Sequence, residues 1–89
     1  MRVRASHILV PSLNEAITLK AKIDLGESFG ELARAHSKCP SAQNSGDLGE
    51  FGPGQMVKPF EDATFNTPVG QVSQPVQTQF GYHLIHRTA

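Results

Sequence analysis

Tryptophan is absent from this chain, cysteine and tyrosine occur once each, and eight basic residues cancel eight acidic ones. Each shortage closes a class of function. A single cysteine, Cys39, cannot form an intrachain disulfide, which argues against a disulfide-stapled secreted scaffold and points to a reducing, cytoplasmic setting. Arg2, Arg4, Lys20, Lys22, Arg34, Lys38, Lys58 and Arg87 are scattered along the chain. They form none of the basic stripes that nucleic acid or an anionic membrane surface would require, so neither is an expected partner. No apolar run approaches the roughly 20 residues of a membrane span. The opening MRVRASHILV lacks the apolar stretch of a secretory leader. There is no CxxC or HxxxH spacing; a Cys/His metal site would have to be gathered from His7, Cys39 and His83, and no metal or other cofactor is expected. Internal repeats and low-complexity tracts are missing too.

What remains describes an ordinary small globule. The 89 residues suit one domain, residues 1–89, with a thin stability margin. Apolar content of 38% and charged content of 18% suit a soluble fold, and a monomer is expected. Residues 3–10, VRASHILV, read as a strand ended by Pro11, with Val3, Ala5, His7 and Leu9 on one face. Ser12 and Glu15 form a capping box that opens a helix carrying Ala16, Leu19 and Ile23, which Gly26 ends. Ser28 and Glu31 form a second box, and its helix carries Phe29, Leu32, Ala33 and His36 as one stripe. Two such helices in succession predict an αα-hairpin, with His36 at the core or its rim. Residues 38–46 are turn chemistry. Asp47–Phe51 predicts a short strand with Leu48 and Phe51 on opposite faces. Pro59 suits the first position of a helix over 59–65. Thr67–Gly70 reads as a turn, and Val72–Thr78 and Gly81–Arg87 read as strands in a hairpin, with His86 on the face opposite His83. The order β-α-α-β-α-β-β predicts an α+β fold: a small four-stranded, mostly antiparallel sheet flanked by helices.

One stretch fits this scheme poorly. Residues 46–60, GDLGEFGPGQMVKPF, hold four glycines and two prolines, a loop composition, among the apolar Leu48, Phe51, Met56 and Phe60. Such side chains are either ordinary core or the lining of an apolar site.

Five segments now carry a family likeness: Ser6–Val10 (SHILV), Ser37–Ser41 (SKCPS), Gly46–Phe51 (GDLGEF), Gly54–Glu61 (GQMVKPFE) and Phe80–His83 (FGYH). Together, in this order and spacing, they resemble the parvulin family of peptidyl-prolyl cis/trans isomerases over nearly the whole chain. The resemblance implies the parvulin (FKBP-like) fold and a shallow apolar pocket for a substrate proline. It places that pocket on Leu48, Met56 and Phe60, with Phe80 at the rim, and a polar centre on His7, Cys39, Thr78 and His83 with Ser41 alongside. Proline-containing polypeptides are the implied partners.

The chemistry asked of such residues is modest. An X–Pro amide has isomers within about 0.5–1 kcal/mol of each other, behind a barrier of about 18–20 kcal/mol. No covalent bond breaks; the catalyst has only to hold the twisted amide better than either planar form. A flexible thioether such as Met56 adapts to a moving ring. His7 and His83, on different strands, could share a hydrogen bond that shapes the floor of the site and holds the sheet. For Cys39 three roles compete: electrostatic tuning of the rotating carbonyl, inert packing, and a nucleophile with His7 or His83 as its base. Parvulins that require a phosphorylated residue before proline read it with basic residues on a long loop after the first strand. Here that loop is Val10-Pro11-Ser12, without arginine or lysine, so no phosphate requirement and an apolar or small residue before proline are expected. Two other readings stand beside the isomerase. One is a proline-segment binding module or holdase with little catalysis; the other is a cysteine-dependent enzyme.

Overall fold

The computed structural model describes residues 2–89. Strand β1 (Val3–Val10) is followed by helices α1 (Leu13–Asp24) and α2 (Phe29–His36) and a 3-10 turn at Pro40–Asn44. Then come β2 (Asp47–Phe51), α3 (Lys58–Asn66), β3 (Val76–Thr78) and β4 (Gly81–Arg87). The four strands form one sheet in the order β2-β1-β4-β3, every neighbouring pair antiparallel.

β1 lies inside the sheet and is covered on both faces. On one side Ile8 and Val10 meet Ala16 and Leu19 of α1, Phe29, Leu32 and Ala33 of α2, and Leu84. On the other, Val3 and Ala5 meet Phe51, Phe60 of α3 and Ile85. Two thin cores thus share one sheet. Both caps form as the sequence predicts: Ser12 Oγ accepts from Glu15 N–H (3.2 Å) and Ser28 Oγ from Glu31 N–H (3.3 Å). α1 and α2 take their support from the sheet and not, as a helical hairpin would, chiefly from each other.

Several expectations give way to tertiary structure. The stripe of α2 stops at Ala33, and His36 is exposed, in a surface hollow shared with Asn14, Thr18 and Lys22 of α1. The turn at 38–46 contains a five-residue 3-10 helix. Val57 caps α3, so Pro59 takes its second position and not its first. The strand expected over 72–78 shrinks to 76–78, with a lone bridge between Val72 and His86. Pro75 offers no N–H to a ladder, which breaks the pairing there.

The largest correction concerns β2. Arg4 pairs with Glu50 and Ser6 with Asp47, so β2 carries one more residue than its partner across that interval. This is a bulge, and Gly49 sits in it at φ +72°, a left-handed conformation that suits glycine. The extra residue reverses the alternation. Leu48 and Phe51 therefore turn toward the same core, against the opposite-face expectation.

Candidate active site

A cavity of about 530 Å³ opens beside the second core. His7 and Leu9 of β1 form one wall with His83 of β4. Cys39 and Pro40 stand at the start of the 3-10 turn, Leu48 comes from the bulge, Gln55, Met56 and Val57 from the loop before α3, and Phe60 from α3 itself. Lys38 and Phe80 stand at the mouth. Phe60 is 3% exposed and belongs to the core, whereas Leu48 and Met56 pack on that core yet stay partly open. Phe80 is 61% exposed. The two readings of residues 46–60 therefore merge: the outer layer of the core is the wall of the cavity. Turn chemistry holds it there. Gln55 Oε1 accepts from Gly52 N–H (2.8 Å), and a Glu61 carboxylate oxygen accepts from Gly54 N–H (2.6 Å).

Beneath the cavity runs a chain of hydrogen bonds. Nδ1 of His7 lies 3.0 Å from Nδ1 of His83, so one ring donates and the other accepts. Nε2 of His7 reaches Ser41 Oγ at 3.1 Å, and Nε2 of His83 reaches Thr78 Oγ1 at 2.7 Å. Thr78 Oγ1 also accepts from Phe80 N–H (3.2 Å), which ties the rim to the floor. Whichever ring holds the shared proton, all four ring nitrogens have partners while both rings are neutral. Burial favours that state: it lowers the His7 pKa to about 4, with help from neighbouring His83, and lowers that of His83 as well. Phe60 stands edge-on to both imidazoles, with centroids 5.4 Å from His7 and 5.1 Å from His83. Gly46 places β1 against the turn: His7 N–H donates to its carbonyl (2.9 Å), and a Cβ at Gly46 would run into the His7 carbonyl oxygen.

Of the nine residues singled out in the sequence, seven line this cavity: His7, Cys39, Leu48, Met56, Phe60, Phe80 and His83. Ser41 and Thr78 stand behind it and hold the two histidines. Leu9, Lys38, Pro40, Gln55 and Val57 complete the wall. Leu9 shares the His7 face by alternation, and the others are neighbours of named residues; their orientation depends on turns that periodicity does not describe. His86 lies on the far face of the sheet, its ring 5.4 Å from Phe29.

This fold is shared with known proteins. The family model described as Rotamase: PPIC-type PPIASE domain matches residues 10–89. The chain belongs to the parvulin family. As a parvulin it is a peptidyl-prolyl cis/trans isomerase domain. It is 56% identical over 88 residues to the foldase protein PrsA of Geobacillus sp. (strain WCH70), covering 98% of this chain and 32% of that protein. The crystal structure of PrsA from Bacillus anthracis superposes with a TM-score of 0.98 at 46% identity, over 99% of this chain and 41% of the other. The solution structure of NmPin, the parvulin of Nitrosopumilus maritimus, gives 0.90 at 47% identity, over 99% and 96%. This parvulin thus spans about a third of the curated relatives it matches and nearly all of a single-domain one.

Proposed function

We propose that the cavity binds the proline of flexible or unfolded polypeptides and catalyses rotation about the preceding imide bond without covalent chemistry. One observation carries this reading: an apolar hollow stays open on a floor whose buried polar groups are all paired and neutral. Leu48, Met56 and Phe60 would grip the pyrrolidine ring, leaving the preceding carbonyl to turn. A dry surface disfavours the charge-separated planar amide relative to its twisted form, which lowers the barrier. His7, His83, Thr78 and Ser41 would keep the floor rigid and uncharged.

For Cys39 we propose electrostatic contact with the rotating carbonyl. Both ring nitrogens of His7 and of His83 are already engaged. Neither has a lone pair left to take a thiol proton, which weighs against the nucleophilic alternative. A reducing compartment such as the cytoplasm would keep the thiol free. β1 reaches α1 through a two-residue link, Pro11-Ser12, with no cation, which supports turnover without phosphate before proline. Exchange NMR on an Ala-Pro peptide tests the activity: substoichiometric protein should broaden the cis and trans resonances. Shifts without faster exchange would mark a binding module instead.

A further inference from the structure

Among the described residues, one formal charge stands on the cavity wall, and no ion-pair partner neutralises it. Besides Lys38, the lining consists of apolar groups, the amide of Gln55, the Cys39 thiol and the neutral imidazole pair. Lys38 is exposed and, among the described residues, makes no ion pair. The acids of β2 and α3, the elements that bring Leu48 and Phe60 to the cavity, are committed elsewhere: Asp47 to Arg4 at 2.7 Å, Glu50 to Arg2 at 3.7 Å, and Glu61 and Asp62 to Lys58 at 3.6 and 3.0 Å. The backbone beneath Lys38 is pinned to the wall. Its N–H donates to the Leu9 carbonyl (2.7 Å), and Ser37 Oγ accepts from Leu9 N–H (3.0 Å) and Cys39 N–H (3.4 Å). The ammonium is therefore tethered to the mouth of the cavity and free to swing over an occupant.

We infer that Lys38 makes this site selective for negative charge beside the proline, so that Glu or Asp flanking it is preferred over Lys or Arg. The inference rests on the reading of the cavity as the proline site. It refines the expectation of an apolar or small residue before proline, which considered only the loop after β1; Lys38 approaches from a different segment. A single ammonium is a point charge and not a bidentate clamp, so the preference is graded and not a requirement. At an exposed rim one such contact is worth about two- to five-fold, and the repulsion of a cationic residue widens the Glu-to-Lys ratio.

The test compares the peptides Ala-Glu-Pro-Ala and Ala-Lys-Pro-Ala, and Ala-Ala-Pro-Glu and Ala-Ala-Pro-Lys. Binding is read by NMR titration and turnover by exchange NMR, at ionic strengths of about 0.01 M and about 1 M. The native chain should favour Glu by about five-fold on at least one side of proline at low salt, and the ratio should approach one at high salt. In Lys38→Glu the preference should reverse. Equal treatment of Glu and Lys, or a preference that survives Lys38→Glu, overturns the inference. The binding ratio is informative even if exchange is not accelerated, and that outcome would sink the isomerase mechanism and not the role of Lys38. Faster exchange with no charge preference does the opposite.

Discussion

Met56 lies at the seam between core and solvent. Its side chain packs on the Phe51–Phe60 core and faces the cavity. Truncation should therefore cost about 1 kcal/mol of stability, below the roughly 2–5 kcal/mol of a fully buried methionine. The loss in kcat/KM on an Ala-Pro peptide should be about tenfold or more. Urea midpoints and exchange NMR on Met56→Ala separate the two effects; a large stability loss with unchanged turnover would return Met56 to the core alone. Cys39→Asp should keep kcat/KM within about tenfold of the native chain, whereas a nucleophile would lose nearly everything. The residue types of the site were legible in the chain as apolar groups in a glycine-rich stretch and two histidines on separate strands. The supporting roles of Ser41 and Thr78 were not. They depend on the 3-10 turn and the β3–β4 hairpin bringing distant hydroxyls to imidazole nitrogens.

At the scale of elements, the bulge in β2 decides where Leu48 points. Gly49 has open space where a Cβ would stand, so its requirement is conformational alone. Gly49→Ala should cost about 1–2 kcal/mol from the left-handed backbone and should raise KM as Leu48 shifts; thermal melts and peptide titration check both. Ser28→Ala removes the cap of α2 and should cost about 1 kcal/mol with KM unchanged, since α2 lies on the face away from the cavity. Caps are legible because they are local: a serine and the backbone three residues on need no partner from elsewhere. Bulges and strand lengths depend on the neighbouring strand. That is why the extra residue of β2 and the truncation of β3 at Pro75 emerge only from the pairing.

For the molecule as a whole, the imidazole pair couples stability to pH. The unfolded chain binds protons on His7 and His83 near the ordinary histidine value of about 6.5. The folded chain resists them, with the His7 pKa held at about 4 and that of His83 also lowered. Their contribution is complete above about pH 6.5 and is lost as pH falls, for His7 alone by about 3 kcal/mol on approaching pH 4. Unfolding free energies from urea titrations should stay nearly level from pH 7.5 to about 6.5 and then fall toward pH 4.5, with a slope approaching about 1.4 kcal/mol per pH unit from His7. A flat profile across that range would mean that the pair is already open to water. Asp47, whose pKa is lowered by its hydrogen bond from Arg4, titrates further toward acid and does not mask the effect.

Local chemistry determined a good deal from the sequence alone. The order of elements, both helix caps and the central strand follow from periodicity and backbone preference, which act over a few residues, whereas the residues of the apolar site were singled out by their likeness to the parvulin family. Only the tertiary structure decided that Leu48 turns inward, that two histidines 76 positions apart share one proton, and that Lys38, alone among the described lining residues, brings a formal charge to the mouth of the cavity. Distances between remote residues depend on sheet register and on the packing of two cores against one sheet, and no short stretch of chain carries that information.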